Sequence, residues 1–103
     1  MPSALDLAAS DLRAAPWIPP FRLVLRDLAA EVALETCIKG PGARRFTLTI
    51  HAGLASTYPA AAVPLLVHGA AHMVAWSARG QSDHGPAFGR AYASIWRLLH
   101  PPE

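Results

Sequence analysis

Cysteine is almost missing from this chain of 103 residues: Cys37 is the only one. A lone thiol excludes an internal disulfide and points to a reducing, cytoplasmic setting. Its place in the apolar run from Val32 to Ile38 marks Cys37 as a small core residue rather than a nucleophile. Charge is sparse too, at 16% of residues, and the net value is only +2. That is a weak footprint for nucleic acid, because the basic residues are scattered and only Arg44 and Arg45 adjoin. Between Phe46 and Ala78 there is no charged residue at all, which raises the question of a membrane span. Pro59, Pro64, His68, Gly69 and His72 oppose insertion, as does a run whose apolar residues are largely alanine. A buried core helix without membrane association is expected there. A basic leader segment is also lacking, and Asp6 and Asp11 interrupt the first apolar residues, so no secretory signal is expected.

What is present is apolar. A hydrophobic share of 52% excludes a disordered chain, and the length suits one domain spanning 1–103. Alanine supplies much of that share, so little apolar area is buried per residue, and a metal or partner is expected to add stability.

Ser3 followed by Asp6 reads as a helix start, predicting a helix over 4–14. Pro16, Pro19 and Pro20 then make an extended link around Trp17, so residues 1–20 form an N-terminal helix and proline-rich connection. Phe21, Val24, Leu25, Leu28 and Val32 recur at helical spacing, with Asp27 and Glu31 flanking Arg26 on the solvent side. This predicts a second helix, stopped by Gly40-Pro41-Gly42. Phe46-Thr47-Leu48-Thr49-Ile50 alternates and predicts a half-buried strand, extending to His51. A helix is predicted after Tyr58-Pro59, ending near Ser77, with Pro64 as its true start. A last helix follows Pro86, with an apolar face of Phe88, Ala91, Tyr92, Ile95 and Leu99. Trp76, Tyr92 and Trp96 have spacings that suit packing between these two helices. The fold class is α+β, mainly helical with a short β-sheet or hairpin.

His68 and His72 lie four apart on the first of those helices, so both imidazoles leave one face. Two helical nitrogens in that geometry reach one zinc ion at about 2.0–2.1 Å each. His84, at the mouth of the last helix, can supply a third ligand and leave a fourth position open. His51 and His100 have no helical partner and read as surface residues.

The pattern His68-x-x-x-His72, eleven further residues, then His84-Gly85-Pro86-Ala87-Phe88 resembles the zinc site of SprT-like and related zincin metallohydrolases. There it reads H-E-x-x-H and H-G-P-x-F. The resemblance covers roughly residues 21–99 and includes Leu65-Leu66-Val67 before His68 and the order helix, strand, metal helix. It implies a small zincin-like domain, one zinc held by His68, His72 and His84, and a peptide or protein substrate. SprT-like enzymes act on DNA-associated proteins with further DNA-binding parts; none is legible in these residues, so that role is not carried over.

Position 69 departs from the family. Gly69 stands where the family has the glutamate that handles protons during hydrolysis, a contribution of roughly 10²–10⁴-fold in rate. The resemblance therefore implies weak or absent hydrolysis. Asp83 is the nearest acid in sequence and suits a helix cap or a hydrogen bond to a histidine better than a replacement base. Glu31 faces solvent in the predicted helix, and nothing connects Glu35 with the metal. Two other functions stay open: a working metallohydrolase using Asp83 or metal-bound hydroxide alone, and a metal-free helical interaction module.

Overall fold

The N-terminal helix begins where its capping residues put it. The Ser3 hydroxyl accepts from the Asp6 N–H at 3.1 Å, and the Asp6 carboxylate accepts from the Ser3 N–H at 3.2 Å. Two N–H groups that no helix can satisfy internally are thereby paired. The resulting helix α1, Ala4–Ala14, buries Leu5, Ala8, Ala9 and Leu12. These come from a computed structural model that describes residues 2–29, 34–38, 46–79 and 84–101.

Residues 21–26 and 34–38 are strands, not parts of a helix. They form β1 (Phe21–Arg26) and β2 (Leu34–Ile38), on either side of β3 (Phe46–His51). β1 runs parallel to β3, from Phe21 opposite Phe46 to Arg26 opposite His51. β2 runs antiparallel, from Leu34 opposite Ile50 to Ile38 opposite Phe46. Phe21, Leu23 and Leu25 fit a period of two as well as a helix would fit Phe21, Val24 and Leu25. Pairing with β3 supplies a ladder of partners that residues 21–26 cannot find locally. The solvent-side pairing changes accordingly: Arg26 meets Glu35 on β2 at 3.1 Å, reaching over the central strand. Both ends are well exposed, so this ion pair adds little stability. Glu31 and the Gly40-Pro41-Gly42 stop lie outside the described residues, as does the side chain of Cys37.

β3 carries the sheet side of the core through Phe46, Leu48 and Ile50, with Thr49 buried as well. The chain then turns into a short helix α2 (Ala52–Thr57), capped by a side chain. His51 Nδ1 accepts from the N–H groups of Gly53 at 3.1 Å and Leu54 at 3.4 Å. The residue read as a surface histidine is thus a structural cap.

Helix α3, Pro59–Arg79, starts earlier than Pro64 and runs straight through it. Tyr58 provides the start by accepting from the N–H groups of Ala61 at 2.9 Å and Ala62 at 3.2 Å. Pro64 lies close enough to this end that its missing N–H removes only one early hydrogen bond. The stretch Pro59–Trp76 is long and apolar enough to cross a membrane by length and composition, yet half of it is buried within the fold. α3 packs on β3, β2, α1, α2 and helix α4, Pro86–Leu99. The described residues form an α+β domain of four helices and a small mixed sheet. Among the described residues, nine of the twenty buried apolar ones are alanines, which lets helices approach closely but limits the apolar area they cover.

Candidate metal centre

Three histidines converge where α3 meets the start of α4. His68 and His72 leave one face of α3, one turn apart. Their neighbours Val67, Ala70, Ala71 and Met73 are fully buried, which fixes the rotation of the helix and half-buries the two imidazoles. His84 precedes Gly85, the extended residue before Pro86 begins α4. Packing of α4 along α3 through buried Ala91 and Ile95 brings it back over the pair.

The Nε2 atoms form a nearly equilateral triangle: 3.2 Å between His68 and His72, 3.1 Å between His72 and His84, and 3.3 Å between His84 and His68. Hydrogen bonding cannot satisfy this triangle. A neutral imidazole Nε2 carries either a proton or a lone pair, never both. Among three mutually adjacent atoms of two kinds, at least one pair must be alike, lone pair facing lone pair or proton facing proton. A cation at the centre removes the conflict, because all three lone pairs then point at it. Nitrogens bound at about 2.0–2.1 Å to a tetrahedral ion stand about 3.3–3.4 Å apart. The observed separations are close to that, and the three ligand atoms lie near enough together to bind one metal ion.

Burial is the main reason that the His68 pKa lies below its ordinary value of 6.5, and the nearby His84 pushes it the same way. A lowered pKa keeps the ring neutral, the form that ligates metal. Phe88, in the first turn of α4, forms the apolar wall of the site. Its ring centroid lies 5.1 Å from that of His68 and 4.7 Å from those of His72 and His84. The Phe of H-G-P-x-F thus touches every ligand ring. His84 is exposed and marks the open side.

Gly69 has a packing reason of its own. A Cβ built there would lie 2.7 Å from Leu48 Cδ2 and 3.2 Å from Cδ1. Leu48 is completely buried in β3, so glycine is what allows α3 to sit this close to the sheet. A side chain at position 69 would start against Leu48.

The remaining sequence candidates are placed as follows. Asp83 lies outside the described residues. Glu35 is engaged with Arg26. His100 is exposed; its Nδ1 lies 3.1 Å from the Trp96 carbonyl oxygen. Trp76 and Tyr92 pack against the core as expected. Trp96 does not: it is 40% exposed, stacked between Tyr92 and His100 on the outside of α4. The signal for this was a ring at every fourth position, His84, Phe88, Tyr92, Trp96 and His100.

No protein-family model, curated protein or solved structure matches the chain. The likeness to SprT-like enzymes therefore stands on His68, His72 and the segment 84–88. The expected order of helix, strand and metal helix gives it no support, since strands occupy 21–26 and 34–38.

Proposed function

We propose that this chain is a zinc-binding domain related to SprT-like metallohydrolases, with weak or no hydrolytic activity of its own. The observation that carries the reading is the triangle of Nε2 atoms at 3.1–3.3 Å, whose contacts hydrogen bonding alone leaves in conflict. Three nitrogen donors at that separation suit a tetrahedral ion, and imidazole is a preferred zinc ligand. When bound, zinc supplies Lewis acidity at the open side of the site. His68, His72 and His84 hold it, and Phe88 keeps their rings apart from solvent on the other side. Glycine at position 69 provides no group to take up or deliver a proton, which favours binding over turnover.

The test is elemental analysis of untagged protein. About one zinc per chain is expected. His68→Ala, His72→Ala and His84→Ala should each abolish tight binding, whereas His51→Ala should retain it. Equal zinc content in all four variants would end the assignment.

A further inference from the structure

The six centroid distances among the rings of His68, His72, His84 and Phe88 all fall between 4.7 and 5.1 Å. Four rings so spaced sit at the corners of a nearly regular tetrahedron, which puts Phe88 over the middle of the histidine triangle. That triangle narrows from 4.8–5.1 Å between ring centroids to 3.1–3.3 Å between Nε2 atoms. All three nitrogens therefore point inward, at the axis on which Phe88 stands. One face of the Nε2 triangle is closed by an apolar ring. The other is the side marked by exposed His84.

Phe88 is fixed in that place from several directions. Pro86 begins α4 directly after the extended Gly85, the Phe88 side chain packs against the core, and the Tyr92 ring backs it at 6.0 Å. Histidine ligands ordinarily donate their second ring N–H to a carboxylate or carbonyl, which fixes the ring. Among the described residues, neither His68 nor His84 has such a partner at Nδ1. Their orientation rests on ring packing instead: both meet Phe88 edge to face, at 64° and 71°. We propose that Phe88 is the positioning residue of the metal centre: it orients the imidazoles and closes one side, so that a bound ion has room for a single further ligand. This rests on the metal assignment above and deepens it, fixing the coordination number at four and naming the residue responsible.

Cobalt(II) titration reads the coordination number, because four-coordinate cobalt absorbs visible light far more strongly than five- or six-coordinate cobalt. Competition with zinc gives the affinity. The wild type should show the intense four-coordinate band, and azide should replace one ligand while keeping it. Phe88→Ala should admit water on the second side, weaken the band and lower zinc affinity roughly 10–100-fold. Phe88→Leu keeps apolar bulk there and should retain most of the band. Ile95→Val, a buried change two turns further along α4, should lower Tm yet leave both readings unchanged. A wild-type band and affinity in folded Phe88→Ala would overturn the proposal while the metal assignment stood. So would a five- or six-coordinate spectrum in the wild type, alone or with azide, and neither reading depends on a variant folding. A wild type that binds neither cobalt nor zinc would end both.

Discussion

Gly69→Ala places the helix–sheet contact under a direct test. On an open helix face, alanine in place of glycine stabilises by about 1 kcal/mol. Here the added methyl lies 2.7 Å from Leu48 Cδ2, 3.2 Å from Cδ1 and 3.4 Å from Cγ. Leu48 is fully buried, so its movement must be passed on to packed neighbours, and overpacking of this kind costs about 1–3 kcal/mol. Overpacking should win, leaving a net loss of about 0–2 kcal/mol. For a domain of this size each kcal/mol lowers Tm by about 4–8 °C. The assay is urea and thermal unfolding of wild type, Gly69→Ala, Leu48→Ala and the double variant. Leu48→Ala alone should cost about 2–5 kcal/mol. In its background Gly69→Ala should become stabilising by about 1 kcal/mol, because the clash is gone and the propensity gain remains. If Gly69→Ala stabilised the wild type by the full propensity term, with no coupling to Leu48, α3 would not approach β3 as described.

The same contact governs the site. Gly69→Glu in the wild-type background should destabilise more than Gly69→Ala, so any gain of zinc-dependent peptidase activity should be sought in a Leu48→Ala background. The wild type should show little such activity; robust turnover lost on metal removal and in His72→Ala would mean that another base, Asp83 first, serves instead. Chelation should lower Tm near neutral pH, since a ligand at a hundred times its Kd adds about 2.7 kcal/mol; an unchanged melt after verified metal removal would contradict this. His51→Ala should keep zinc yet cost about 1 kcal/mol through loss of the α2 cap, read by urea unfolding. In metal-free protein the folded-state pKa of His68 lies below its ordinary value of 6.5, so the unfolded chain binds the extra proton between the two values. Its contribution to stability is therefore present above 6.5 and lost as pH falls from there toward the lowered pKa. Tm should drop over that window, and less so in His68→Gln; equal slopes would remove burial of His68 as the cause.

How much of this was legible beforehand depends on the range of the forces involved. α1 was readable because Ser3 and Asp6 act within one turn. α4 was readable because Pro86 starts it and its apolar face repeats. The central strand announced itself through its alternation, and His68 with His72 through their spacing of one turn. Residues 21–26 were misread because their apolar spacing satisfies both periods, and the choice was made by pairing with β3, twenty-five residues later. The start of α3 turned on Tyr58 rather than on the proline rule. Trp96 looked like core because apolar character says that a side chain can be buried, not that a partner surface will reach it.

The metal centre divides the same way. Residue types, the H-x-x-x-H spacing and the 84–88 segment are properties of the chain itself, since donor chemistry and helical geometry are local. The closing of three Nε2 atoms to 3.1–3.3 Å, the Phe88 wall and the reason for glycine at 69 belong to tertiary structure alone. They depend on how closely α3 lies against α4 on one side and β3 on the other, and small side chains in the core, rather than any local signal, set those distances.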